Sequence, residues 1–354
     1  MERLKVKKYC GELDLWTKLK DDCINLVVAP TGSGKSTVAL ELSVGELNVA
    51  FVAPFLSITQ QVKLNYPNLD ISTGTKAQDV ESYADGRITS FHSAPRLLEL
   101  KNIDLLVIDE IHYLVNYAGF SYGAVGRLWE TVDKLKKKHP HMKIVALTGT
   151  PHFIRKADFL NFHLIFIEQE QPTAKPSEIF VSRSWTREYG KNRNYIALYP
   201  SKRMGKAWAK KHGGAYIDSA TKESSDTYQA ILEGRLISDR IFTSTVLSTG
   251  ISILDKVDTL YANWLSLTDI VQFSSRPRQG GHLLKATQIP KPYFLRKGCD
   301  KPLLNWTNDY EQNFQLLNKY EEWVSFNYHQ SEIDLHSIIY QMLWAPHQEI
   351  SEPY

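Results

Sequence analysis

Cysteine is nearly absent from this chain of 354 residues, with only Cys10, Cys23 and Cys299, far apart and without CxxC or Cys/His metal spacing. That removes a disulfide scaffold and a zinc module, and reads as reduced thiols in a cytosolic protein. No apolar run approaches the ~18 residues of a membrane helix, and the charged stretch Met1 to Lys8 has no apolar h-region. The expectation is a cytoplasmic protein with no membrane partner. Repeats and low-complexity tracts are missing too. Nor is there much excess charge: 42 Lys and Arg against 39 Asp and Glu leave a net +3, which permits nucleic-acid binding but leaves local patches to decide it.

What remains is the composition of a soluble globular protein, 43% hydrophobic and 23% charged, at a length that suits two domains of roughly 150 to 180 residues. Apolar runs recur at Ile24–Val28, Val49–Val52, Leu105–Ile108, Ile144–Leu147 and Leu164–Ile167, separated by helical or loop patterns. This alternation predicts a parallel α/β sheet. A polar, proline-bearing stretch from Glu168 to Pro176 reads as a linker. A second series follows, Tyr195–Tyr199, Ala215–Ile217, Arg240–Thr243 and Thr259–Tyr261, with helices expected over Lys202–Lys211 and Ser225–Leu232. From Thr307 the pattern turns helical: Phe314, Leu317, Tyr320 and Trp323 share a face that reads first as a packing face and second as a base-stacking surface, and Ser331 to Asp334 reads as a capping box for a last helix to Leu343.

Two short motifs carry the chemistry. Ala29-Pro-Thr-Gly-Ser-Gly-Lys-Ser-Thr37 fits G-x-x-x-x-G-K-[ST] with alanine at the first glycine position, after a buried-strand run and before the start of a helix at Thr37–Leu42, the context that a phosphate cradle needs. Backbone N–H groups of Gly32, Ser33, Gly34 and Lys35 can then face phosphate oxygens, with Lys35 reaching the β- and γ-phosphates and the Ser36 hydroxyl ligating Mg²⁺. Pro30, Thr31 and Thr37 complete the expected ATP contact. The second motif is Leu105-Leu-Val-Ile-Asp-Glu-Ile-His112. Asp109 would hold Mg²⁺ through water and Glu110 would orient and deprotonate the attacking water. Neighbouring strand residues point to opposite sides, so the chain must bend after Ile108 for both carboxylates to face the nucleotide.

With these placed, the remaining segments follow the order of superfamily 2 helicases of the DExH type, a resemblance running from about Leu26 to His282. It implies two tandem RecA-like domains, 1–172 and 173–304, and a helical extension over 305–354. It implies nucleic-acid backbone contacts at Pro54, Phe55 and Ser57, at Gly74 and Thr75, at Ser90 and His92, at Pro200 and Ser201, and at Thr243 and Ser244. Thr148-Gly149-Thr150 resembles the segment coupling the ATP site to the nucleic-acid groove, and Gly250 falls in the motif touching both substrates. Gln272-Phe-Ser-Ser-Arg276-Pro-Arg278 looks like the arginine-finger motif, so Gln272, Arg276 and Arg278 join Lys35, Asp109, Glu110 and His112 as catalytic residues. Two departures stand out: Ser275 for a usual glycine, and Ser252 for an acid often found there. The Gly-Ile-Ser pattern and the short Arg-Pro-Arg ending resemble origin-binding and phage-type replication helicases. No adenine-reading glutamine motif of the DEAD-box kind stands upstream of the cradle.

The resemblance implies ATP and Mg²⁺ as cofactors. Single-stranded or forked DNA is the implied partner, with RNA as the alternative and a replication or recombination protein as a further partner. The expected setting is the cytoplasm of a bacterium or phage-infected host. Two functions are carried forward, an ATP-driven DNA helicase or translocase and a helicase-like ATP clamp or loader with little turnover. A small-molecule P-loop kinase has no use for a second α/β domain ending in Gln272 and Arg276.

Overall fold

A computed structural model describes residues 2–42, 47–67, 69, 87–113, 122–149, 162–171, 174–182, 184–248, 251–265 and 267–287. Their packing divides into two compact units, one within Met1–Gln171 and one within Pro172–Asp300. The expected helical extension at 305–354 lies outside the described residues, as do Gly74, Thr75, Thr150 and Gly250.

In the first unit the strands are β1 (Glu2–Val6), β2 (Ile24–Val28), β3 (Val49–Ala53), β4 (Ile88–Ser90), β5 (Leu105–Ile108), β6 (Lys143–Thr148) and β7 (Phe162–Gln169). They form one parallel sheet in the order β1-β7-β2-β6-β5-β3-β4. Strands β3 and β5 are buried along their whole length, as an interior parallel sheet covered on both faces requires. Helices α1 (Lys35–Glu41), α2 (Leu56–Asn65) and α3 (Tyr122–Lys138) belong to this unit.

The second unit holds β8 (Glu178–Ser182), β9 (Tyr195–Leu198), β10 (Ala215–Ile217), β11 (Arg240–Thr243), β12 (Thr259–Asn263) and β13 (Leu283–Thr287), with helices α4 (Lys202–His212), α5 (Asp226–Leu232) and α6 (Leu267–Ser274). Its sheet, also parallel, runs β10-β11-β9-β12-β13-β8. The core here is unusually aromatic: Tyr189 stacks on Tyr195 at 5.7 Å between ring centroids and meets Tyr199, Trp208, Phe242 and Tyr261 edge to face. Such pairs add to the area buried by each ring.

The nine apolar runs named from sequence all form strands, most with ends shifted by one or two residues. Strands β1, β4, β8 and β13 were not among them. Sheet-edge strands β1 and β8 place exposed residues at alternate positions, Arg3 and Lys5 in one and Glu178 and Phe180 in the other, which masks their apolar side, and the charges blunt an edge against unwanted pairing. Strand β7 extends to Gln169, two residues into the expected linker, and α1 starts at Lys35 instead of Thr37.

Candidate nucleotide and nucleic-acid site

Strand order brings the motifs together. Strand β6 lies between β2 and β5, so the loops leaving the C-terminal ends of all three meet, where open α/β sheets bind ligands. These loops are the phosphate-cradle segment, Asp109–His112 and Thr148–Gly149. Backbone bonds lace them: Ala29 N donates to Thr148 O at 3.1 Å, Ile111 N to Leu147 O at 3.0 Å and Asp109 N to Val52 O at 2.8 Å.

The cradle depends on glycine at two kinds of position. Gly34 caps α1 with φ +82° and ψ +18°, in the left-handed region that glycine adopts without strain; Gly32 has φ +83°. Gly149 is needed for closeness: a Cβ there would stand 2.6 Å from the Thr31 Cγ2 atom. Thr31, Ser33 and Lys35 are buried, Gly32, Gly34 and Ser36 half-buried, and Thr37 exposed; Pro30 is buried ahead of them.

Ser36 Oγ donates to Asp109 Oδ2 at 3.0 Å across 73 positions of sequence. Asp109 Oδ1 accepts from the Glu110 N–H at 3.0 Å. The bend expected after Ile108 is present, and its form is specific: Glu110 has φ +50°, a left-handed conformation that costs a non-glycine residue roughly 1 to 3 kcal/mol and concentrates at functional sites. Glu110 Oε2 lies 3.4 Å from His112 Nδ1, which is 3.0 Å from Thr148 Oγ1. His112 is fully buried. A polar chain therefore connects the second carboxylate to the expected coupling segment.

Burial and the neighbouring Glu110 push the Asp109 carboxyl up to about 7, against the opposing pull of Lys35 and the Ser36 hydroxyl. A buried acid beside a second acid is relieved by a cation. Among the described residues no group of three or more His, Cys, Asp or Glu could enclose a metal, so this donor set, one hydroxyl and one carboxylate, fits Mg²⁺ only with substrate phosphates and water completing the shell.

The N-terminal segment, which sequence reasoning left without a role, lies against the cradle. Cys10 N donates to Ser33 O at 2.8 Å and Cys10 Sγ to Ser33 Oγ at 3.4 Å. Glu12 holds this segment by accepting from the backbone N–H groups of Lys7, Lys8 and Tyr9 at 2.7, 2.7 and 3.0 Å. Only Glu12, three residues after Tyr9, gives a local hint of it.

The expected backbone-contact residues also gather at strand ends. Ala53 pairs with Ser90, so Pro54, Phe55 and Ser57 follow β3 next to Ser90 and His92 after β4. His92 is exposed, Phe55 is half-buried, and Pro54, Ser57 and Ser90 are buried. In the second unit Leu198 pairs with Thr243, and Tyr199 N donates to Thr243 O at 2.9 Å. Pro200 is exposed; Ser201 caps α4 by accepting from Met204 N at 3.4 Å; Thr243 and Ser244 are buried, with the Thr243 hydroxyl donating to Ser244 O at 3.0 Å. Sequence reasoning missed the support beneath this end: Tyr189 Oη meets Tyr199 Oη at 2.6 Å and donates to Asn263 Oδ1 at 3.0 Å.

The arginine motif is built into its own unit. Arg276 is buried, with Nε donating to Ser248 O at 3.0 Å and Nη2 to Gln272 Oε1 at 2.6 Å. Ile253 N donates to Arg276 O and Arg278 N to Ile253 O, both at 2.9 Å. Arg278 Nε and Nη2 both donate to Ser252 Oγ, at 2.9 and 2.7 Å. The serine standing at the family's acidic position is thus the acceptor for the last arginine.

Residues 5–153 match the family model described as type III restriction enzyme, res subunit. No curated protein sequence matches the chain. Among solved structures it is similar to the Mycobacterium smegmatis helicase Lhr bound to ssDNA and AMP-PNP, with TM-score 0.60 and 16% identity over 79% of this chain and 45% of that one. It is similar to the DUF1998 helicase MrfA bound to DNA, with TM-score 0.58 and 13% identity over 79% and 48%. The S. cerevisiae Dbp5 bound to RNA and ADP BeF3 gives TM-score 0.57 and 12% identity over 95% and 94%. At these identities the likeness is one of fold, and it defines the architecture: two tandem RecA-like domains of the helicase kind. The chain spans less than half the length of the first two proteins. Among the described residues no helix is long and apolar enough to cross a membrane.

Proposed function

We propose that the chain is an ATP-hydrolysing nucleic-acid translocase that unwinds or remodels forked DNA in replication, recombination or repair. The observation that carries this is the Ser36–Asp109 hydrogen bond, which joins the cradle to the acidic motif in one site. Lys35 binds the β- and γ-phosphates in this reading, and Ser36 and Asp109 hold Mg²⁺, which supplies neutralisation of phosphate charge. Glu110, turned inward by its positive φ, orients water and takes its proton. The chain from Glu110 through His112 to Thr148 carries the state of the ATP site toward the strand-end contacts. The restriction-enzyme family match supports DNA over RNA; the similar structures include helicases bound to DNA and helicases bound to RNA, so they do not separate the two.

The test is steady-state ATP hydrolysis alone and with single-stranded DNA, forked DNA or RNA, at two salt concentrations. Strong stimulation by DNA supports the proposal; turnover indifferent to every nucleic acid overturns it. A second reading, an ATP-binding clamp with little turnover, is favoured by the bonds of Arg276 to Ser248 O and Gln272 Oε1. Tight nucleic-acid binding that depends on ATP but yields no stimulated hydrolysis would select it.

A further inference from the structure

Helix α4 carries Lys202, Arg203, Lys206, Lys210 and Lys211 and no acidic residue, in a chain whose cations and anions nearly balance. All five are exposed. At about 100° per residue, Lys202, Arg203, Lys206 and Lys210 fall within an arc of roughly 100°. Gly205 and Ala209 are buried on the side adjoining Lys202, and Met204 and Trp208, further round the helix, pack against the aromatic core. From Lys202 to Lys210 the stripe runs ~12 Å, outward from the β9 strand end at Ser201.

This arrangement sacrifices helix stability. Like charges at i, i+4, such as Lys202, Lys206 and Lys210, cost roughly 0.2 to 0.5 kcal/mol a pair, and cations in the first turn oppose the helix dipole. Internal neutralisation is slight. Among the described residues Lys206 alone has an acid nearby, 3.6 Å from Asp218 Oδ2, and it lies over the Tyr216 ring at 5.5 Å. Lys202 Nζ donates to Ser219 Oγ, and Lys211 sits over the Trp208 ring at 4.7 Å. Arg203 and Lys210 have no acidic partner among the described residues.

Helix α3 shows what lysines look like when the fold uses them. Lys136 Nζ donates to the carbonyls of Asp21 and Met142, and Lys138 Nζ to those of Leu98 and Leu100. Those ammonium groups hold α3 and its neighbours together, while Arg203 and Lys210 of α4 serve no such purpose.

We propose that the solvent face of α4 beyond Lys202, formed by Arg203, Lys206 and Lys210, binds the phosphate backbone of a nucleic-acid duplex. A duplex fits better than a single strand because this face is cationic around Ala207 and presents no exposed ring. Single-strand grooves interleave aromatics for base stacking, and here Trp208 is half-buried and stacked on His212. The inference deepens the motor reading, on which it rests for its partner, by placing the duplex arm of a fork on a surface separate from the strand-end hydroxyls.

The test compares wild type with R203Q/K210Q, since neither side chain has a partner among the described residues and thermal unfolding verifies the fold. Binding to a blunt duplex, a fork and its isolated single-stranded tail is titrated across salt. Loss of two phosphate contacts lowers the slope of log K against log salt by about 2 for duplex and fork. Their affinity falls about tenfold or more, and single-strand affinity and single-strand-stimulated hydrolysis stay as in wild type. Equal losses on tail and fork overturn the duplex assignment. Unchanged duplex and fork binding also overturns it, and would leave the stripe to an acidic protein. The two readings fail separately: a wild type that never hydrolyses ATP but loses duplex affinity on substitution sinks the motor and keeps the stripe.

Discussion

Both units bury charge at their functional motifs, but they balance it differently. In the first unit, burial and Glu110 outweigh Lys35 and Ser36 at Asp109, whose carboxyl is pushed up to about 7, and Glu110 is held at φ +50°. In the second, buried Arg276 is matched in place by Ser248 O and Gln272 Oε1, and Arg278 by the Ser252 hydroxyl. The first arrangement leaves two buried acids beside one cation; the second gives each arginine oxygen acceptors within its own unit. The same degree of burial therefore implies opposite consequences for substitution: lost activity with stability kept for an acid of the first unit, lost stability for an arginine of the second.

The largest effect should come from the first unit. Lys35→Ala or Glu110→Gln is expected to cut ATP turnover by about 10² to 10³ or more, the scale for removing one preorganised charge-stabilising or proton-accepting group. Glu110→Gln should retain ATP binding and should not lower the urea midpoint. Undiminished hydrolysis by either would remove these residues from the chemistry.

A pH contrast sharpens the comparison. Burial lowers His282 to about 4, so its contribution to stability is intact above the unfolded value near 6.5 and is lost as pH falls toward 4. The loss reaches about 3 kcal/mol. Asp109 acts in reverse. Its folded value lies above its unfolded one, so the ligand-free protein should lose stability as pH rises from about 4 through 7. Urea midpoints of wild type, His282→Gln and Asp109→Asn across this range should diverge at opposite ends. Parallel curves would show that burial does not distinguish these groups.

Next in size is Arg276→Ala, which leaves a carbonyl and an amide oxygen without their donor and should cost about 2 kcal/mol. Arg276→Lys should recover part of it. The turnover of a folded Arg276→Ala protein should fall far more than its nucleotide affinity; equal losses would argue against a finger role. Smallest is Ser252→Ala, worth about 1 kcal/mol, read in the same unfolding assay. A variant as stable as wild type would mean that Arg278 gains nothing from that hydroxyl.

The parts of the fold that were legible are those whose signal is local. Apolar runs read as strands, and all nine named were found, the edge strand β10 among them, while the interior strand β13, interrupted by Lys285, was not named. Edge strands β1 and β8 were not named either, because exposed positions alternate with more buried ones along each. The glycine loop before α1 was legible because contiguous residues build it, and the bend after Ile108 followed from strand alternation alone. The support of Tyr199 by Tyr189 and Asn263 left no trace, since it joins positions 10 and 74 residues apart. The five cations of α4 were visible in sequence, but so were the lysines of α3, and composition does not distinguish an ammonium turned to a carbonyl from one facing water.

By itself, then, the sequence determined two α/β units, a glycine loop leading through Lys35 and Ser36 from a buried strand into a helix, and paired acids at the end of a strand. Each is written in neighbouring residues whose spacing sets local geometry. Only the tertiary structure decided that β6 lies between β2 and β5 and so joins Ser36 to Asp109. It also decided that Arg276 is bonded within its own unit and that one basic helix face is left to solvent. Those outcomes depend on strand order and on which side chains find partners far along the chain, and long-range pairing is set by the packed fold, not by local spacing.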